Sequence, residues 1–256
     1  MESFVDLLSP LAWAGALAVT LFAGFVKGVV GFAMPMIMIS GLGSVLAPEL
    51  ALAALILPTL VSNGMQALRQ GPAAAWQSTR KFRIFLIVGG VMLVASAQLV
   101  TVMPVALMLA LIGVPIVAFA LAQIAGWDGR LPAGPSRRFE VGIGAFAGFI
   151  GGFSGVWGPP TVAYLMALNT EKTEQIRVQG VIYGLGAVLL TVAHMGSGVL
   201  NAQTVWLSLA MIPAAVAGMW LGGRVQDRFD QRLFRRATLW VLLIAGLNLL
   251  RRAFFA

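Results

Sequence analysis

Residues 23–35 read AGFVKGVVGFAMP, and residues 147–159 read AGFIGGFSGVWGP. At a constant offset of 124 residues, Ala23/Ala147, Gly24/Gly148, Phe25/Phe149, Gly28/Gly152, Gly31/Gly155 and Pro35/Pro159 are identical. Six matches in thirteen positions exceed what an Ala- and Gly-rich composition yields by chance, so the chain reads as two related halves. In each half the block interrupts a long apolar stretch, over 11–46 and over 141–169, with glycines and a proline. Neither stretch reads as one continuous helix; each reads as a helix, a break and a returning helix.

Outward from these blocks lie apolar runs at 48–68, 83–103, 104–125, 178–196, 204–222 and 236–252, each near the length that crosses a bilayer core. The whole chain of 256 residues is 59% hydrophobic and 10% charged, far below the quarter of charged residues typical of soluble domains. There is no cysteine, which removes disulfides, thiolate metal sites and thiol nucleophiles. The single histidine, His194, leaves no histidine-based zinc site. Neither a metal nor a cofactor is expected, and no GxxxxGK[ST] loop for a nucleotide is present. The composition is that of a polytopic membrane protein.

The net charge of +8 is distributed as a topology signal rather than as a nucleic-acid groove. Fourteen of the seventeen Lys and Arg fall in Arg69–Arg83, Arg130–Arg138, Lys172–Arg177 and Arg224–Arg236, between apolar runs. Basic loops mark the cytoplasmic side. The uncharged connections 101–104 and 197–204 are then external. These assignments agree only if 11–46 and 141–169 each enter the membrane and return on the same side. Each half then holds a re-entrant hairpin plus three crossings, an odd number, so the repeats are inverted and the N-terminus lies outside. Arg251 and Arg252 fall outside as an exception, at a helix end where basic side chains snorkel. The acidic start, MESFVDLLSP, lacks the basic n-region of a cleaved signal. The expected fold is all-α, with an N-terminal repeat over 1–128, a linker over 129–138 and a C-terminal repeat over 139–256.

Inverted repeats with helices broken at mid-membrane are a recurring plan of secondary transporters. Half-helices of about 10–14 residues would bring the hairpin tips to the midplane. A proline opens each returning helix, leaving free N–H groups and a positive dipole end at the tip. Two such ends, with glycines that let backbone amides come close, make an anion site. The competing use of the same glycines is close helix packing. Lys27 is the only charge within either tip, and its repeat partner is Gly151. A lysine inside a membrane marks a binding site, a proton relay or an ion pair; the bland alternative is snorkelling to the outer interface.

The expected substrate contacts are Lys27, Gly28, Gly31 and Phe32 at the first tip and Gly152, Ser154, Gly155, Trp157 and Gly158 at the second. Asn63 and Gln66 on the second span, and Gln179 and Tyr183 on its counterpart, join them as specificity contacts, although polar glue between helices serves equally for each. No residue is expected to be catalytic. The alternative is an intramembrane serine hydrolase: Gly152-Phe153-Ser154-Gly155 has the GxSG nucleophile pattern and His194 follows on another helix. Against it, Val30 stands where Ser154 falls in the repeat, so the glycines answer to the repeat. An anion channel of the same plan is the third reading.

Over roughly 13–252 the chain resembles the sulfite exporter TauE/SafE family. The resemblance rests on the duplicated AGFxxGxxGxxxP block continuing as GPPTVAYLMALN, on Glu174-Gln175-Ile176-Arg177, and on the closing LGGRVQDRFDQRLFRRATLWVLLIAGLNLL. It implies a permease of the cell inner membrane for sulfite, thiosulfate, sulfoacetate or another organosulfonate, working in export, and not an enzyme. The family's first tip is often a nearly continuous glycine run, where this chain has Lys27, Val29, Val30 and Phe32. The partners expected are a small sulfur-containing anion and membrane lipid. A proton or other ion is the candidate for coupling, a homodimer the candidate assembly, and nucleic acid is excluded.

Overall fold

A computed structural model describes residues 8–43, 46–97, 104–126, 137–154, 158–196 and 198–255. Among the described residues there are eleven helices and no strand. They are α1 (Pro10–Val30), α2 (Met34–Leu42), α3 (Pro48–Leu68), α4 (Pro72–Lys81), α5 (Arg83–Ala97) and α6 (Val105–Ile124), then α7 (Arg137–Ser154), α8 (Gly158–Ala167), α9 (Lys172–Gly196), α10 (Thr204–Asp227) and α11 (Gln231–Phe255). Five are long and apolar enough to cross a membrane: α1, α3, α9, α10 and α11. The chain is an all-α polytopic membrane protein. Its exposed large side chains, such as Phe22, Ile87, Val192, Ile244 and Phe254, are apolar, as contact with lipid tails requires.

Both hairpins are broken at corresponding positions. Helix α1 ends at Val30 and α2 begins at Met34; α7 ends at Ser154 and α8 begins at Gly158, the same offset that relates the sequence blocks. Helices α3 and α9 also begin at that offset. The short limbs α2 and α8, nine and ten residues long, have half-helix lengths. The long limbs do not: α1 has 21 residues and α7 has 18. At 1.5 Å per residue α1 is about 31 Å long, enough to cross the core, so its break comes at the far end of a full-length helix.

The reason lies in Gly24 and Gly28, which stay within α1 and serve packing. A Cβ on Gly24 would stand 2.3 Å from the Ala215 carbonyl oxygen, and one on Gly28 would stand 2.3 Å from that of Met219. Reciprocally, a Cβ on Gly218 or Gly222 of α10 would stand 2.0 Å from the Leu21 carbonyl oxygen or 2.1 Å from that of Phe25. Two small-xxx-small stripes thus bring α1 and α10 backbone to backbone. The repeat partner of Gly24 behaves alike: a Cβ on Gly148 of α7 would stand 2.1 Å from the Gly89 carbonyl oxygen of α5.

The described residues form two compact units, 1–72 with 176–230 and 73–175 with 231–256, so each draws helices from both halves of the sequence. In the first, α10 packs on both α1 and α3. Met34, Met38, Leu42, Leu207, Met211 and Ala215 are buried together there. Pro58 interrupts the α3 ladder, and the Leu57 N–H just before it donates to Ser208 Oγ of α10 at 3.0 Å. A hydroxyl from a neighbouring helix is the usual relief for backbone disturbed by a proline in lipid. In the second unit α5 packs on α7 and α6 on α11. Phe85 stacks on Tyr164 with centroids 5.4 Å apart, and Arg235 donates to Gln123 Oε1 and Asn169 Oδ1.

Candidate functional site

The site is built around the end of α1, in the first compact unit. Gly31 closes α1 in the left-handed region at φ 87°, with its N–H donated to the Lys27 carbonyl. Ala33 follows at φ 75°, a conformation a residue with a Cβ adopts at a cost and one that concentrates at functional positions. Phe32 between them is buried, and α2 starts at once with Pro35 in its first turn. The chain therefore reverses tightly beside the last turn of α1.

Lys27 lies in that last turn. It is 2% exposed and is the one charged residue buried among the described residues. Its Nζ donates to Asn63 Oδ1 of α3. Arg69 pairs with Asp227 and Lys81 with Glu174, but among the described residues no carboxylate answers Lys27. A lysine so buried and without a counter-charge is costly, and such a residue persists where a partner or a function requires it. An amide oxygen satisfies one of three donors on an ammonium group.

Polar side chains of α3 and α9 surround the tip. Asn63 Nδ2 donates to the Tyr183 carbonyl at 3.2 Å. Gln66 Nε2 donates to the Gly31 carbonyl at 2.9 Å and to that of Ile176 at 2.7 Å. Gln66 thereby holds a carbonyl that α1 leaves free at its C-terminus. Gln179 is fully buried, and its Oε1 occupies the space a Gly31 Cβ would need, 2.0 Å from it. Neither polar atom of the Gln179 amide has a hydrogen-bond partner in this structure, nor does Gln66 Oε1. Buried amides left in that state are expensive, and they mark places where a water or ligand completes the network.

Beside this cluster is a cavity of about 350 Å³, bordered by Lys27, Gly28, Gln66, Arg69, Trp220 and Arg224 among others. The volume accommodates a small oxyanion with some of its water. With Asp227 at its edge the cavity meets three cationic side chains and one carboxylate.

Of the residues expected from the sequence, Lys27, Gly31, Phe32, Asn63, Gln66, Gln179 and Tyr183 come together around the first tip, and Gly28 borders the cavity while packing on α10. Gly152 and Ser154 lie in the last turn of α7, and Gly158 opens α8. Gly155 and Trp157 lie outside the described residues. His194 sits at the other end of α9, a half-buried residue whose carbonyl accepts the Leu200 N–H at 2.9 Å. Arg69, Trp220, Arg224 and Asp227 are not signalled by the sequence: the three charges lie in basic segments, where charge marks topology, and Trp220 lies in an apolar run, where an aromatic is ordinary.

The model of one protein family, described as sulfite exporter TauE/SafE, matches residues 16–249. No curated protein and no solved structure matches the chain.

Proposed function

Because this chain belongs to the sulfite exporter TauE/SafE family, we propose that it carries small sulfur-containing anions such as sulfite, thiosulfate or sulfoacetate out of the cell across the inner membrane. The observation that carries this reading is the buried Lys27, set at a helix break with only an amide oxygen for a partner. The anion binds at the first tip, where Lys27 supplies positive charge and Gln179 supplies an amide N–H group not committed to a protein partner, while Gln66 holds the tip backbone in place. The N-terminus of α2 adds its free N–H groups to the same place. Asn63 positions the ammonium group, and its second bond to the Tyr183 carbonyl ties that position to α9.

The transport cycle is alternating access between two inverted repeats, with the N-terminus outside. Helix ends at one offset in both hairpins support the repeat. So does the packing: α1 of the first half seats on α10 of the second, and α7 of the second half seats on α5 of the first, through repeat-related glycines. Lys27, the buried ionisable group at the tip, is also the residue through which a proton would be coupled.

Counterflow in reconstituted vesicles tests the substrate class. Vesicles preloaded with sulfite should accumulate labelled sulfite or thiosulfate faster than empty ones, with sulfate, taurine and acetate competing poorly. Equal uptake with and without preload would indicate a channel, and uptake of acetate alone would move the substrate to carboxylates.

A further inference from the structure

The mouth of the Lys27 cavity carries a second set of charges with a different arrangement. Arg69, just beyond the end of α3, donates to Gln226 Oε1 at 2.9 Å and to Asp227 Oδ1 at 2.6 Å. Arg224, one turn before Asp227 on α10, places its guanidinium carbon 3.8 Å from the centroid of the Trp220 ring. Among the described residues no carboxylate pairs with Arg224. Three helices end here, and cations in or beside their last turns offset the negative ends of their dipoles. That accounts for Lys27, Arg69 and Arg224 being basic. It does not account for their bordering one cavity, with the buried Lys27 at one part of it and a half-exposed ion pair at another.

The ion pair has the properties of an exchangeable contact. The Arg69 and Asp227 side chains are 40% and 59% exposed, and a pair that exposed contributes little to stability, so it opens readily. Gln226, by contrast, is buried and keeps its hold on Arg69 when Asp227 leaves. A guanidinium lying on an aromatic face retains its in-plane N–H donors for another partner, which leaves Arg224 ready to accept an oxyanion.

We infer that Arg69 and Arg224 form an outer anion station, at which a small oxyanion takes the place of the Asp227 carboxylate on Arg69 before it moves to Lys27. The station rests on the anion-carrier reading above and adds to it a capture step with its own residues. Asp227 acts there as an internal counter-ion, keeping the mouth closed to weakly held anions and yielding to one that spans both guanidinium groups. No bond is made or broken; one ionic contact replaces another.

The chain contains no cysteine, so a single introduced thiol is uniquely reactive. In Arg224→Cys, alkylation with iodoacetamide leaves the position neutral, 2-bromoethylamine restores a positive charge and iodoacetate adds a negative one. Thioether adducts also survive sulfite, which cleaves mixed disulfides. In reconstituted vesicles the half-saturating sulfite concentration should rise about tenfold for the neutral adduct and further for the anionic one, and return most of the way for the cationic one. Asp227→Asn should lower it about two- to threefold, and added inert salt should weaken wild type more than the neutral adduct. Three adducts with the same half-saturation would overturn the station and leave Arg224 a packing residue on Trp220. If wild type carries none of sulfite, thiosulfate or sulfoacetate in these vesicles, the carrier reading fails and the station with it.

Discussion

Gly24 and Ala215 meet backbone to backbone: a Cβ on Gly24 would stand 2.3 Å from the Ala215 carbonyl oxygen and 3.1 Å from its Cα. Nothing flexible lies there to give way, so Gly24→Ala forces α1 and α10 apart. We expect a loss of about 1–3 kcal/mol, read as a lower unfolding temperature in detergent. Gly64→Ala on α3, where a Cβ meets nothing within 4 Å, is the control. It should be neutral or stabilising by up to about 1 kcal/mol, since alanine favours helix over glycine.

Gly31 is required twice over. Its φ of 87° disfavours a side chain, and the Gln179 amide fills the place of a Cβ. Gly31→Ala should therefore destabilise by about 1–2 kcal/mol from the backbone alone and more from the collision. Adding Gln179→Ala should recover the second part and not the first, a non-additivity that thermal unfolding of the two single variants and the pair would show. Strict additivity would mean that the amide moves aside without cost.

The contact between Leu57 and Ser208 predicts a further coupling. Ser208→Ala removes the acceptor of the Leu57 N–H and should cost about 1 kcal/mol. In a Pro58→Ala background α3 can close its own ladder, and the same substitution should cost less. Equal costs in both backgrounds would detach Ser208 from the proline.

Glu171, in the connection between α8 and α9, sets an acid limit on stability. Partial burial pushes its carboxyl up, but the Thr173 hydroxyl at 2.6 Å, the Thr173 and Glu174 N–H groups and the neighbouring Lys172 together hold it below the ordinary 4.5. A depressed carboxyl stabilises the folded state fully above its unfolded value and loses that contribution as pH falls through the folded one. Wild type should thus lose stability below pH 4.5 more steeply than Glu171→Gln. Parallel pH profiles would leave the capping contacts without consequence.

The hairpin breaks are legible in the sequence because glycine, proline and a recurring block coincide at 31–35 and again at 155–159. The length of α1 is not, since Gly24 and Gly28 look the same in one dimension whether they open a break or seat one helix on another. Only the partner α10, almost 200 residues further on, decides between the two uses. Helix α4 is hidden for another reason: PAAAWQSTRK is too short and polar to show a membrane period. At the site, Lys27, Asn63, Gln66 and Gln179 stand out because a polar residue in an apolar run needs a reason. Arg69, Arg224 and Asp227 do not, because in a basic segment charge is expected and carries no further signal until the fold brings α3 and α10 together.

The most direct test of the account is the thermal stability of purified wild type and Lys27→Met in increasing sulfite. A ligand at a hundred times its dissociation constant adds about 2.7 kcal/mol to the folded state. Wild type should show a saturating rise in unfolding temperature with sulfite and none with acetate. Lys27→Met should fold, keep the α1 and α10 seam, and show no rise. An equal rise in both proteins would place the anion elsewhere and contradict the role given to Lys27.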